Sequence, residues 1–191
     1  RVREEEAHHL GKSLVHNRTL ERLMVDNTAL AVQQLVGGAK LNLVGVDFSE
    51  VDGTLMAQLL VHNRALRSLD LSGSKPLHKQ MKLLSEALSR CSFSLTELSV
   101  AGRMLGLEGS AALLDALKAC PLQVLDLTNN EICGVKASGT DPFNVYVLKM
   151  VCALAQREGG GLRRLKLKGN NIIGNDVYTA EGVHLISEAL R

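Results

Sequence analysis

The chain has 191 residues, of which 46% are hydrophobic, a size that fits one domain or one section of a longer array. Its formal net charge of +2 is too balanced to indicate nucleic acid or an anionic membrane as a partner. Aromatic residues make up only 3% and tryptophan is absent, so aliphatic side chains of leucine size must fill the core.

Apolar residues at helical spacing predict a helix over 3–16 at the start of the chain. The stretch 30–35 has a similar pattern but is too short for a full helix. Longer helices are predicted over about 52–61, around Leu84 and around Leu113. Helical segments therefore recur along the whole chain, with short apolar segments between them.

A short segment that follows the first helix occurs twice. The residues 14–20 read LVHNRTL, and 60–66 read LVHNRAL. Each copy predicts the end of a helix at a His-Asn pair, because Asn tolerates the left-handed conformation that ends helices and His suits the negative end of the helix dipole. A metal site built from the two histidines is the alternative, but the copies should lie on different units of the fold.

The segments between the helices share the pattern L-x-x-L-x-L, which is typical of a short strand with alternating inward and outward side chains. The intervals between the central leucines are nearly equal in the middle of the chain, shorter at its start and much longer before the last copy. The leucines at the fourth place of the pattern are Leu23, Leu41, Leu69, Leu98, Leu125 and Leu165.

Two copies are complete over eleven residues, at 122–132 and 162–172, and both add Asn at the ninth place and Ile at the eleventh. They resemble the leucine-rich repeat, L-x-x-L-x-L-x-x-N/C-x-L, and the long, even spacing from Leu41 to Leu125 is similar to that of the ribonuclease-inhibitor-like class. The resemblance implies an α/β solenoid, or horseshoe, with a parallel β-sheet on its concave face and helices on its convex face. It implies about six repeats in a single domain over 1–191, which we expect to be a segment of a larger protein.

The ninth place of the repeat predicts how tight each turn is, because an Asn side chain there can bond main-chain groups that the turn leaves unpaired. Only Asn130 and Asn170 hold that place. We therefore expect looser turns in the amino-terminal half of the chain. The other four repeats carry Thr28, Val46, Ser74 and Arg103 there.

The last two repeats have enlarged turns between strand and helix, at 133–146 and 173–181. Insertions in repeat proteins collect on one face, which is often the binding face. These turns hold Phe143, Tyr146 and Tyr178, and exposed aromatic residues are favoured anchors at interfaces. The alternative is that the rings only roof the enlarged turns.

Side chains that alternate with the leucines should face outward and form the concave surface. The predicted surface is small and mildly acidic in the middle and basic at its carboxyl-terminal end, where charges would steer a partner. Asp126 and Lys166 should lie side by side on neighbouring strands and could simply neutralise each other. The candidate binding residues on this surface are Asp70, Asp126, Asn129, Arg164, Lys166 and Lys168.

Patterns that carry catalysis are missing from the sequence: it has no phosphate-binding G-K-[ST] loop and no G-x-S-x-G motif. It also shows no signal peptide and no apolar stretch long enough to span a membrane. The wide spacing of Cys91, Cys120, Cys133 and Cys152 predicts free, at least partly buried thiols in a reducing compartment.

We therefore expect a cytoplasmic module that binds another protein, without catalysis, cofactor, metal, nucleic acid, membrane or small-molecule substrate. Ribonuclease inhibitor and the sensing domains of NOD-like receptors are families with this repeat class. Two alternatives remain open. One is a regulator of a GTPase, similar to the Ran GTPase-activating proteins, and the other is a structural spacer whose concave face binds nothing.

Overall fold

In the computed structural model, short strands alternate with helices along the chain. The described residues are 3–25, 28–73, 75, 77–91, 94–134, 143–157, 161–173 and 180–189. The helices are Glu4–Val15 (α1), Val32–Gly37 (α2), Glu50–Leu60 (α3), His78–Cys91 (α4), Gly106–Ala116 (α5), Tyr146–Ala155 (α6) and Glu181–Ala189 (α7). The strands are Arg22–Met24 (β1), Ala29–Ala31 (β2), Lys40–Asn42 (β3), Ser68–Asp70 (β4), Glu97–Ser99 (β5), Val124–Asp126 (β6) and Arg164–Lys166 (β7).

Five strands form one parallel sheet in chain order, from β3 to β7. Their register aligns the central leucine of each strand with that of the next, so Leu41 lies opposite Leu69 and Leu125 opposite Leu165. The central leucines of β3 to β6 are at most 3% exposed, and Leu165 of β7 is partly buried. The sequence prediction of an α/β fold with these leucines in register is confirmed.

The helices form a second layer against one face of the sheet. Consecutive helices from α3 to α7 pack against each other, and α1 packs mainly against α3. The core lies between the two layers and consists almost entirely of Leu, Val, Ile, Met and Ala side chains. A parallel sheet needs a long connection between neighbouring strands, and the interval between successive central leucines has room for a helix in that connection.

The start of α3 shows how local sequence places these helices. Ser49 accepts a hydrogen bond from the amide of Asp52 at 3.0 Å, and the Asp52 carboxylate accepts one from the amide of Ser49 at 3.1 Å. This reciprocal pair satisfies two amides that the first turn of a helix leaves free. The predicted helix over 52–61 is therefore confirmed, with its first helical residue at Glu50.

The first predicted strand does not join the parallel sheet. β1 pairs with β2 in a separate antiparallel sheet, with Leu23 opposite Leu30. The connection between these two strands covers only 25–28, a length that permits an antiparallel hairpin but no parallel crossover. The prediction of six stacked strands is thus wrong at its first member, and Met24 lies outside the five-stranded sheet.

The two His-Asn segments end their helices in a different way from the prediction. Asn17 and Asn63 are not among the residues with left-handed backbone. Their side chains instead accept hydrogen bonds from main-chain amides that follow, of Leu20 at 2.7 Å and of Ala65 at 2.9 Å respectively. The repeated segment is thus a side-chain-held turn, a role that suits Asn equally well.

The ninth-place asparagines bond the turns of the last two repeats to each other. Asn130 is fully buried and donates to the carbonyl of Val100 at 3.0 Å, and Asn170 donates to that of Leu127 at 2.8 Å. The Asn170 side chain also accepts from the amide of Asn130 at 3.0 Å. These bonds satisfy main-chain groups that no strand or helix pairs, as the sequence predicts.

Arg103 replaces asparagine at the same place and overturns part of the expectation of loose turns. It is 1% exposed, and its Nε donates to the carbonyl of Leu71, the counterpart of the Val100 and Leu127 acceptors. Its guanidinium also donates to Ser72 at 3.2 Å and to Val46 at 3.0 Å. Because the guanidinium has five donors, one side chain satisfies carbonyls in two preceding units.

Candidate functional site

The side chains that alternate with the central leucines form a row across the sheet, on the face away from the helices. We call this the open face. Register places Asp70 beside Ser99, Ser99 beside Asp126, and Asp126 beside Lys166. Asn42 of β3 begins the row beside Asp70. The outward direction predicted for these five residues is confirmed.

A shallow groove of about 300 Å³ runs over the middle of the open face. Its floor carries small polar side chains, and the hydroxyls of Ser72 and Ser99 are hydrogen-bonded at 2.6 Å. Asp70, Asp126 and Lys166, three of the predicted binding residues, line it together. Small floor residues leave room for a side chain or a loop of another molecule to rest against the sheet.

Asp126 and Lys166 form the best-defined ion pair of the groove. Lys166 Nζ lies 2.8 Å from Asp126 Oδ2, and the Asp126 side chain is 12% exposed. Burial by itself raises the pKa of the Asp126 carboxyl. The hydrogen bonds from Lys166 and Thr128 outweigh burial, so this pKa lies below its ordinary value. The predicted neutralisation of these two charges is therefore confirmed.

We expect Lys166→Met to raise the pKa of Asp126, because burial then acts without the opposing ammonium. A depressed pKa stabilises the folded state above the unfolded-state pKa, and this contribution is lost as pH falls through the folded-state value. In Lys166→Met this contribution should be smaller, because the folded-state pKa moves towards the unfolded-state value. NMR titration of the carboxyl carbons measures the shift. The control is Lys168→Met, and equal pKa values in both variants would contradict the ion-pair assignment.

β7 brings a basic row to one end of the open face. Arg164, Lys166 and Lys168 are exposed, whereas Leu165 and Leu167 between them are partly buried. Lys166 is occupied by Asp126, but Arg164 and Lys168 have no ion pair within the described part of the chain. Two exposed cationic side chains are thus available to an acidic group.

Asn129 lies apart from the groove, where the strands end. It lines a second depression of about 350 Å³ together with Met104, Glu131 and two glycines. Asn129, Met104 and Glu131 have left-handed backbone, with φ of 54°, 49° and 59°. These conformations follow the repeat, since each flanks a ninth-place residue. The prediction that Asn129 shares one surface with Asp70 and Asp126 is not confirmed, because it lines a separate depression.

The aromatic residues of the enlarged turns divide between the two predicted roles. Phe143 is partly buried and packs against the core, so its ring covers the structure beneath it. Tyr146, the first residue of α6, is 57% exposed and is available for contact. Tyr178 lies outside the described residues. Neither Phe143 nor Tyr146 lines the groove.

Three groove residues were missed by the sequence analysis: Ser68, Glu97 and Val124, which occupy the third place of the repeat. Side chains at the third and fifth places point to the same side of a strand. The repeat pattern in the sequence was therefore sufficient to predict these three residues on the open face. Glu97 is exposed and adds a second acidic side chain near Asp70. The middle of the open face is therefore more acidic than predicted.

Cysteine and metal chemistry find no support in the described residues. Burial raises the pKa of the Cys133 thiol to about 11 and also raises that of Cys152, so both are protonated near neutral pH. Cys120 is buried. The predicted burial of the thiols is confirmed for these three. No group of three His, Cys, Asp or Glu side chains in the described ranges is placed to hold a metal.

Comparison with known proteins identifies the fold but no family. No protein-family model matches the chain, and no curated protein matches its sequence. A solved structure described as "Leiomodin-1 Actin-Binding Site 2 (ABS2)" is similar, with a TM-score of 0.54 and 13% sequence identity. The similarity covers 83% of this chain and 84% of that one. The chain therefore shares its arrangement of strands and helices with a structure described as an actin-binding site.

None of the described helices combines the length and apolarity needed to cross a membrane.

Proposed function

We propose that the chain is a leucine-rich repeat protein of the ribonuclease-inhibitor-like class and that it binds another protein without catalysing a reaction. The open face would be the concave side of its solenoid, and the enlarged turns after β6 and β7 would extend the binding surface. The observation that carries this proposal is the row of outward side chains on the open face, of which Asp70, Ser99, Asp126 and Lys166 line the shallow groove.

The chemistry of the groove supports recognition of a protein surface. Asp70 and Glu97 supply negative charge in the groove, and the exposed Arg164 and Lys168 supply positive charge at the β7 end of the open face. Such a charge pattern selects partners and speeds their association more than it raises affinity. The groove is too open to enclose a small substrate, because a ligand pocket usually buries most of its ligand.

One candidate partner comes from the similar structure. The similar structure is, by its description, an actin-binding site, which makes actin one protein to test.

Cytoplasmic location is part of the proposal, because the buried thiols of Cys120 and Cys133 suit a compartment that keeps cysteine reduced.

Reversing the charge of two basic side chains at the β7 end of the open face is the direct test. We expect Arg164→Glu with Lys168→Glu to weaken binding to the native partner by about tenfold or more, since two attractive contacts become repulsive. The partner would first be captured with the full-length protein and identified by mass spectrometry. Its dissociation constant would then be measured with purified proteins, and actin would be tested by cosedimentation.

The matched control is Lys149→Glu, a charge reversal on an exposed residue of α6 in the helical layer. Circular dichroism would verify that each variant keeps its fold. Unchanged affinity in the double variant, with the fold intact, would rule out the open face as the binding surface. It would then favour the spacer interpretation or a different face.

A GTPase regulator would behave differently in a second assay. Such a protein accelerates GTP hydrolysis when added in catalytic amounts, whereas a binding module only forms a stoichiometric complex. Hydrolysis assays with candidate GTPases therefore distinguish the two functions. Acceleration at a small molar fraction of this protein would overturn the non-catalytic proposal.

A further inference from the structure

The depression where the strands end has a volume of about 350 Å³ and is lined by Gly102, Met104, Asn129, Glu131 and Gly169. We call it the rim depression. Its three side chains come from the turns that follow β5 and β6, and each of these strands has a neighbouring strand on both sides. The side chains of the rim depression therefore belong to units inside the array.

Two of these side chains stand where the turn favours a different residue. Met104 and Glu131 occupy the tenth place of the repeat, with φ of 49° and 59°. A bulky side chain is strained in this left-handed conformation, whereas asparagine tolerates it. The last unit of the sheet has the same conformation at the tenth place and carries Asn171 there, with φ of 53°. The turn by itself does not account for methionine and glutamate.

Asn129 departs from the turn in the same way, at the eighth place. It has φ of 54°, in the region that glycine adopts at the least cost. The other four units of the sheet have glycine at this place, namely Gly45, Gly73, Gly102 and Gly169. Residues held in strained backbone cluster at binding and catalytic sites, where the surrounding fold offsets the strain. Three such residues line the rim depression together.

The chemistry of the rim depression is that of a site for a cation with an apolar stem. Glu131 is partly buried and has no ion pair among the described residues, and the side-chain oxygen of Asn129 accepts no hydrogen bond from them. Met104 adds an apolar wall that is 49% exposed. One carboxylate is too few for a metal ion, which usually needs three or more protein ligands.

We propose that the rim depression binds an arginine side chain of a partner protein. The guanidinium donates hydrogen bonds to the Glu131 carboxylate and to the Asn129 side-chain oxygen, and the methylene stem packs against Met104. Arginine fits better than lysine, because its planar fork can donate to two acceptors at once and is more weakly hydrated. The inference rests on the proposed function of protein binding and adds a second contact point and the residue that it selects.

The test titrates the full-length protein with blocked arginine, N-acetyl-arginine amide, and follows the Met104 methyl group and the Asn129 side-chain amide by NMR. We expect saturable binding, with a dissociation constant on the order of 1 mM, that weakens as salt rises. Glu131→Gln should weaken it by about tenfold, because the charge is lost while the shape is kept. The matched control is Glu86→Gln, an exposed glutamate of α4 in the helical layer, and it should have no effect.

Two further probes separate charge from shape. Blocked citrulline keeps the planar end of arginine without its charge, and it should bind at least about tenfold more weakly. Blocked lysine keeps the charge without the fork, and it should bind at least about threefold more weakly.

Thermal unfolding separates a binding role from a structural one. Glu131→Asn and Asn129→Gly give the two turns the residues that other units carry at the same places. Both variants should unfold at an equal or higher temperature, because the left-handed strain is relieved. Both should nevertheless bind blocked arginine more weakly, Glu131→Asn by about tenfold and Asn129→Gly by about threefold. A lower unfolding temperature in both variants would show that these side chains hold the turns, and it would overturn the proposal.

The proposal is also overturned if blocked arginine does not bind, if Glu131→Gln binds it equally, or if citrulline or lysine binds as well as arginine. Arg164→Glu with Lys168→Glu distinguishes this inference from the proposed function, because it tests the open face. Weaker capture of the native partner by that variant, with no binding of blocked arginine to the unaltered protein, leaves only the arginine site wrong. The opposite pair of results leaves only the open face wrong.

Discussion

Replacing Asn130 with alanine is expected to lower the free energy of unfolding by about 3–5 kcal/mol. The side chain is fully buried, donates to the carbonyls of Val100 and Thr128, and accepts from the amide of Leu105. Alanine leaves the carbonyl of Val100 and the amide of Leu105 buried without partners, whereas the carbonyl of Thr128 keeps the amide of Gly102. Each unsatisfied group costs about 1–3 kcal/mol. Urea unfolding followed by circular dichroism measures the difference.

Asn42→Ala is the matched control for this loss, because Asn42 is exposed and its side chain accepts one bond, from the amide of Val44 at 3.1 Å. We expect it to lower stability by no more than about 1 kcal/mol, since water replaces the lost partner. Asn170→Ala should resemble Asn130→Ala. Similar stabilities for Asn130→Ala and Asn42→Ala would show that the ninth-place bonds contribute little.

Gly102→Ala should be the second severe substitution, with a loss of about 3 kcal/mol or more. Gly102 has φ +72°, where an L side chain is strained. A Cβ there would also lie 2.5 Å from the carbonyl oxygen of Gly73, in the turn that follows the neighbouring strand β4. The two chains would have to separate, which would weaken the bonds that Arg103 makes across the same turn. Thermal unfolding and urea unfolding both report the loss.

Gly45→Ala separates the two causes. Gly45 has φ +73°, almost the same conformation, but a Cβ there would meet nothing within 4 Å. Its expected cost is the left-handed strain alone, about 1–2 kcal/mol. If Gly102→Ala and Gly45→Ala lost equal stability, the close approach of Gly73 to Gly102 would not be a determinant of the fold.

Most of the fold could be predicted from the sequence, because the alternation within each strand and the spacing between the central leucines indicated the same architecture. Alternation within each strand placed the central leucines inward, and the long, even spacing of those leucines placed one helix between neighbouring strands. The prediction was wrong at Leu23, where the leucine pattern is present but the spacing is too short for a helix. A local pattern therefore indicated a strand, and only the length of the connection decided its partner.

The site was less predictable because it depends on contacts between units. Register along the strands placed Asp70 and Asp126 in one row and Lys166 against Asp126. The sequence did not show that Asn129 would line a separate depression, since that depends on how the turns after the strands stack. It also did not show that Phe143 would pack against the core while Tyr146 is exposed.

Arg103 was misjudged for a different physical reason. It stands where the repeat has asparagine, so the turn was expected to be loose. Its guanidinium instead donates to main-chain carbonyls and lies with Cζ 6.0 Å from the centre of the Phe48 ring. Partners as distant along the chain as Val46 leave no trace in a local pattern.

The reach of Arg103 changes how the array should come apart. In a stack whose units touch only their neighbours, an end unit can unravel while the rest remains folded. Arg103 bonds Leu71 in the preceding unit and Val46 in the unit before that one. The units of β3, β4 and β5 are thereby coupled beyond the nearest neighbour and should unfold as one cooperative block. Unfolding from the amino-terminal side should therefore show one large transition in place of two small ones.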